Sequence, residues 1–316
     1  MAMRREWGAA LILAMMAAAA PEIGDAQNAP ADAAATGAKD ESLEARVVKM
    51  NAYVALLNRS LRAVESLDRY RSWVNMKTGP TGRESVVYGL YEVYDTTKEA
   101  GSATAALSRQ PPLPELDAAM RDYIAANAAL GPILNEASAY YEREDYKTDR
   151  MAGGKALHAR IVAAATPFLA ARARADAAFR NEKARVDERQ LAAIEQREGH
   201  GANWHVVNVM TRARRVIDLL PSSANPVIDL APFDAAMASY ANAVKDMDAY
   251  SAGHSNAFFV FESQPRSLLG KLREFQEKID RAKGDARRGA GGDLTWIVND
   301  YNLMVTTSQT ATQFNH

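Results

Sequence analysis

Between Val47 and Val64 apolar residues recur at Val47, Met50, Val54, Leu57, Leu61 and Val64, at intervals of 3, 4, 3, 4 and 3. Such spacing lays a single stripe along an α-helix and is incompatible with the alternation of a half-buried strand. A chain built this way must bury the stripe against other helices. Leu67, Tyr70 and Val74 continue it after a shift of three, which re-winds the stripe without ending the helix. The cluster Lys77-Thr-Gly-Pro-Thr-Gly82 then stops it.

The same periodicity predicts further helices over 83–99, with Val87, Leu90, Tyr91 and Tyr94 on one face, and over 115–144, 155–198, 203–220, 232–250, 263–283 and 293–314. Turn signals separate them: Gly101, Gln110-Pro-Pro-Leu-Pro114, Gly199-His-Gly201, Pro221 to Pro226, Gly253-His254 and Gly284 to Gly292. Gly131-Pro132 and Pro167 sit inside two of these helices and predict bends, because proline removes a backbone donor and crowds the preceding turn. Asp293 is a natural N-cap ahead of Leu294, Ile297, Val298 and Tyr301. No segment alternates convincingly. The expected fold is all-α, an elongated multi-helix bundle with long coiled-coil-like helices forming one domain over 43–314.

Four tyrosines, Tyr53, Tyr123, Tyr240 and Tyr301, each follow a polar or small residue by two positions on an amphipathic helix. The expectation is a ring at the bundle rim with its hydroxyl wet. Duplication of a helical hairpin is the other reading.

The N-terminus reads as an export signal. Arg4 and Arg5 precede Gly8 to Ala20, an uncharged run of thirteen residues that is mostly apolar and too short to span a bilayer. Gly24-Asp25-Ala26 is the preferred cleavage site, giving a signal peptide over 1–26 and a flexible linker over 27–42. Export to the periplasm or the medium follows as an expectation. The chain has no cysteine, so it has neither a disulfide nor a thioether-linked lipid. Removing residues 1–26 takes two basic and three acidic side chains from 38 and 39, leaving 36 of each. A nucleic-acid binder would carry a basic surplus. No later segment reaches eighteen consecutive apolar residues, so no transmembrane segment is expected in the mature chain.

Residues 140–158, YYEREDYKTDRMAGGKALH, concentrate the polar chemistry: three tyrosines, four carboxylates, a Gly-Gly pair and one of five histidines. On an unbroken helix, Glu142, Asp145 and Asp149 would share a face and could hold a hard cation. Gly153 and Gly154 argue instead for a nearby turn, since each costs roughly 1 kcal/mol inside a helix. Arg143, Lys147 and Arg150 can pair with the acids locally. A structural corner covered by Tyr140, Tyr141 and Tyr146 is the favoured reading, with a ligand or metal site second.

Other motifs fail on detail. Gly154-Lys155 resembles a phosphate loop, but Asp149 stands where the first glycine belongs and Ala156 where the Ser or Thr belongs. No histidine has a carboxylate three or four residues before it, and no His-Glu-x-x-His occurs. His200 and His205 could meet only through a loop. Gly253-His-Ser255-Asn-Ala257 lacks the strand and sheet of a hydrolase elbow. The charged run Arg172 to Arg189 alternates in sign, as a solvated helix face does. The more basic stretch from Lys271 to Arg288 is read as a soluble loop, with a contact for anionic lipid or cell-wall polymer as the alternative.

Tyr140-Tyr141, Asp145-Tyr146-Lys147, Asp149 and Gly154-Lys155-x-Leu157-His158, with Asn51-Ala-Tyr53 and Asn58 before them and Val298-Asn299-x-Tyr301-Asn302 after, resemble the YiiG-like bacterial family across residues 43–314. The resemblance implies an exported helical protein, often lipid-anchored, without an assigned activity. The anchor is not carried over, because the cysteine is missing. Tyr141, Asp145, Tyr146, Asp149, Lys155 and His158 become the patch that the resemblance emphasises.

Together these readings predict a non-catalytic binding or scaffolding module of the cell envelope, with no cofactor. Its partner is an unknown envelope protein or small ligand, not nucleic acid, and a homo-oligomer is possible. The candidate ligand residues are Tyr141, Glu142, Asp145, Tyr146, Asp149, Lys155 and His158. The rival is a metal-dependent envelope hydrolase or metal-binding protein using the 140–158 motif, with His158 or His200 and His205 as ligands.

Overall fold

A computed structural model describes residues 31–221, 226–288 and 292–313. The expected signal peptide, the first residues of the expected linker and His316 lie outside the described residues. Among the described residues the chain forms nine α-helices: α1 (Ala31–Arg59), α2 (Leu61–Arg71), α3 (Thr97–Leu107), α4 (Pro114–Glu142), α5 (Ala152–Glu198), α6 (Ala202–Asp218), α7 (Leu230–Gly253), α8 (Ser263–Arg281) and α9 (Asp293–Gln313). The only pairing of strand type among them is an isolated bridge between Val227 and Asp285. The all-α class holds, and no described helix is long and apolar enough to cross a membrane.

Two compact units divide at Lys183 and Ala184, whereas the periodicity predicts one helical domain over 43–314. The first contains α1 to α4 and α5 as far as Lys183. α1 begins inside the segment expected to be a linker. Its helix then breaks once, at Ser60, whose hydroxyl turns back to the Leu56 carbonyl at 2.5 Å. The buried stripe is shifted from the one traced through aliphatic residues. Met50, Leu57, Leu67 and Tyr70 are buried, but Val47, Val54, Leu61 and Val64 are only half-buried, and Lys49, Tyr53, Ser60, Ala63 and Ser66 fill the seam instead. Met120, Tyr123, Leu130 and Leu134 of α4 and Ile161 and Phe168 of α5 are also fully buried in this unit.

A lysine is tolerated in the seam because its charge is fully matched. The Lys49 ammonium donates to Asp117 Oδ2 at 2.7 Å and to the carbonyls of Arg109 and Pro111 at 3.0 and 3.2 Å. Asp117 in turn accepts from the Tyr53 hydroxyl at 2.6 Å and from the Leu113 amide at 2.9 Å. The second bond satisfies the donor at the start of α4, where Pro114 has none to offer.

The helix predicted over 83–99 is absent. The chain from Pro80 to Thr96 is non-helical, and the helix begins only at Thr97. Gly89 takes a positive φ of 65° there, which a helix does not accept. The remaining predicted helices are present within a few residues, with Pro132 and Pro167 inside α4 and α5.

The second unit runs from Ala184 through α6 to α9 around Val206, Val209, Val216, Phe233, Met237, Tyr240, Leu268, Leu272, Phe275, Ile297 and Met304. The tyrosine expectation fails in both units, because the hydroxyls are inside. Tyr123 bonds Ser60 Oγ at 2.5 Å and Arg172 Nη1 at 2.9 Å, and Tyr240 donates to the Pro265 carbonyl at 2.9 Å. Tyr301 is buried with its hydroxyl shut from solvent. At Tyr53, Tyr123 and Tyr240 an internal polar partner makes the dry site acceptable, and sequence spacing does not reveal that partner.

Candidate functional site

α4 ends at Glu142, the chain turns through 143–151, and α5 starts at Ala152. The corner expected at 140–158 is therefore present, with the glycine pair in the first turn of α5 rather than at the bend. Close approach explains the pair. A Cβ on Gly153 would stand 2.7 Å from Tyr140 Cε2 and 2.8 Å from Asp149 Oδ2, and one on Gly154 would stand 2.9 Å from the Tyr141 hydroxyl.

Asp149 ties the turn to the helix. Its carboxylate accepts the Tyr140 hydroxyl at 2.9 and 3.1 Å and the Gly153 amide at 2.8 Å, filling one of the donors that a helix start leaves open. Burial pulls this carboxyl upward, but these hydrogen bonds outweigh it and hold the group below the usual range. Tyr140 responds in the opposite sense, pushed up to about 12 by burial and by the carboxylate it donates to.

The other candidates separate into an inner and an outer set. Inside, Tyr141 is buried, its ring 5.0 Å from Tyr140, 5.1 Å from Trp73, 6.0 Å from Tyr146 and 6.4 Å from Tyr70. Its hydroxyl is enclosed without a hydrogen bond, and burial followed by the neighbouring Tyr70 phenol pushes it up. His158 is half-buried, its Nδ1 hydrogen-bonded to the Tyr70 hydroxyl at 3.1 Å, and burial pushes the imidazole down. Tyr70 itself is pushed up to about 12, chiefly by burial. Outside, Asp145 pairs with Arg143 Nη2 at 2.7 Å, Glu144 with Lys147 at 2.5 Å, and Glu142 and Lys155 are exposed.

Glu142, Asp145, Asp149 and His158 thus do not converge. No group of three or more His, Asp or Glu among the described residues could hold a metal ion. In the helical pattern Tyr70 reads only as a seam residue, and Trp73 stands outside it. The aromatic pair three residues apart at the end of α2 was the available signal.

In the second unit His200 stacks on Trp204 at 3.8 Å and its Nε2 meets Glu195 Oε1 at 3.1 Å. His205 lies 5.1 Å from Trp204 and 4.7 Å from Tyr250, which stacks on His254 at 4.0 Å. His205 is buried, and its Nδ1 lacks a hydrogen bond. Trp204 is shared by the two histidines, stacked on His200 and edge-on to His205, and among the described residues they belong to no set of metal donors.

An all-α protein of two helical units, with a tyrosine-rich corner in the first, is the class that the fold defines. The chain belongs to the family described as protein of unknown function (DUF3829), matched over residues 44–314. It is 30% identical over 282 residues to the uncharacterized protein YiiG of Escherichia coli (strain K12), covering 81% of this chain and 76% of that one. No solved structure matches.

Proposed function

We propose that this is an exported cell-envelope protein, periplasmic or secreted, that works as a non-catalytic binding or scaffolding module, with the 140–158 corner as its recognition surface. The observation that carries the proposal is concentrated backbone strain. Glu144, Arg150 and Met151 hold left-handed φ values of 57°, 52° and 67° within one short turn. Residues with side chains keep such conformations only where their surroundings over-determine them, and these positions gather at ligand clamps and switches. Here the strained turn wraps a cluster of aromatic rings and leaves Tyr146 half-exposed beside paired charges of both signs. That combination suits a polar partner with a flat apolar face. Export is supported by Arg4, Arg5 and the apolar run Gly8 to Ala20.

Photo-crosslinking in cells producing the full chain tests this. A crosslinking amino acid replaces Glu142 or Tyr146 at the corner, and Thr104 on α3 or Trp296 on α9 as controls. The expected result is one adduct specific to the corner positions, with a mature N-terminus at Gln27. No corner adduct, or the same adducts from all four positions, overturns the recognition role. A cytoplasmic, unprocessed chain overturns export.

A further inference from the structure

The non-helical segment between Pro80 and Thr96 is held in an unusual way. Among the described residues, none of its backbone groups from Pro80 to Asp95 bonds another backbone group. Over 88–93, side chains of α2 and α4 and of Trp73 just beyond α2 take several of them instead. Ser66 Oγ donates to the Tyr91 carbonyl at 2.8 Å and accepts the Tyr91 amide at 3.2 Å. Asn135 does the same for Val93, accepting its amide at 2.8 Å and donating to its carbonyl at 3.3 Å. Trp73 Nε1 donates to the Gly89 carbonyl at 3.0 Å, Arg69 Nε to the Tyr88 carbonyl at 2.8 Å, and Ser138 Oγ to the Leu90 carbonyl at 3.4 Å.

Side-chain selection is sparse by comparison. Leu90 and Val93 are buried, while Val86, Tyr88 and Tyr94 are exposed. The Tyr91 ring is met by two guanidiniums, Arg62 at 3.9 Å and Arg69 at 4.5 Å. Gly89 is required twice over, by its positive φ and by Tyr141 Cβ standing 3.2 Å from where its own Cβ would be.

Grooves that hold peptides in trans work by the same division of labour, with main-chain hydrogen bonds giving affinity and a few pockets giving selectivity. We infer that the groove between α2 and α4 is a peptide-binding site, occupied in this structure by the chain's own 88–95 segment as a built-in ligand. Its external partner is an unstructured protein segment of the pattern glycine, aliphatic, aromatic, any residue, aliphatic, which displaces the resident one. The inference stands on α2 and α4 and needs no ligand at the corner.

The probe is a fluorescent peptide of residues 86–95 added to the full chain. In the double variant Leu90→Asp with Val93→Asp, the resident segment loses both anchors while Ser66, Asn135 and Trp73 remain. Saturable anisotropy is expected with this variant. Binding to the wild type should be about ten-fold or more weaker, because the tethered segment competes at roughly millimolar effective concentration. A peptide carrying the same two aspartates should not bind, and Asn135→Ala in the double variant should weaken binding. Binding that ignores the anchors, or none to a folded double variant, overturns the inference. Should the double variant not fold, the wild type decides. Millimolar peptide must accelerate hydrogen exchange at the Tyr91 and Val93 amides, and unchanged exchange there overturns the inference.

Discussion

Lys49 and Asp117 form an ion pair at 2.7 Å with the lysine side chain 1% exposed and the aspartate side chain 11% exposed. Neither charge is left alone. Asp117 also accepts from Tyr53 and from the backbone of Leu113, whereas among the described residues the other acceptors of Lys49 are two carbonyls. Removing one partner of such a pair costs about 3–5 kcal/mol, because the other stays buried and uncompensated. The asymmetry ranks the two substitutions. Asp117→Ala should be the worse, since it strands the ammonium and frees two donors, and Lys49→Met the milder. Urea unfolding measures both, and the reverse order would contradict the network.

Gly153→Ala should destabilise by roughly 1–3 kcal/mol, the usual cost of forcing an extra methyl into a packed site. Gly131→Ala, inside α4 with nothing within 4 Å of its would-be Cβ, should instead stabilise by about 0.5–1 kcal/mol. Opposite signs for one chemical change on two helices test whether the corner is as tight as described. Thermal melting of the two variants reads the signs.

His205 and His158 give stability a pH dependence of known sign. Burial pushes both imidazoles down; at His205 the neighbouring His200 and His254 add to this and Asp246 opposes it. Their unfolded value is about 6.5, so below it the unfolded chain binds more protons than the folded one. Their contribution is therefore complete above that pH and is lost as pH falls through the folded values. Melting temperature should drop on acidification from neutral pH, and His205→Phe should flatten the curve. A curve unchanged by that substitution would remove His205 from the account.

Calcium should leave the melting temperature unchanged at millimolar concentration. Asp149 already accepts from Tyr140 and Gly153, and Asp145 is paired with Arg143. A ligand that binds only the folded state raises its stability by mass action, so a clear upward shift would mean that these carboxylates can be recruited. Asp149→Ala and Asp145→Ala would then have to abolish it.

The helix ends were mostly legible because glycine and proline write them locally, as at Gly199 and at Pro114. The corner was legible only from the neighbouring pair Gly153-Gly154, since the bend itself, over 143–151, is made by left-handed Glu144, Arg150 and Met151 and has no glycine or proline. The 83–99 segment misled: Val87, Leu90, Tyr91 and Tyr94 match a helical face, yet the backbone of 88–95 is claimed by Ser66, Arg69, Trp73, Asn135 and Ser138. Wet hydroxyls were expected at Tyr53 and Tyr123 because their partners, Asp117, Ser60 and Arg172, lie more than forty residues away along the chain.

The sequence by itself determined that this chain is helical and where most of its helices run, since periodicity and turn residues act over a few neighbours. Only the tertiary structure decided which polar groups enter the interior and which backbone goes without a helix. Those choices depend on partners brought close by folding: a lysine becomes a core residue when an aspartate faces it, and an open segment is stable when side chains supply its hydrogen bonds.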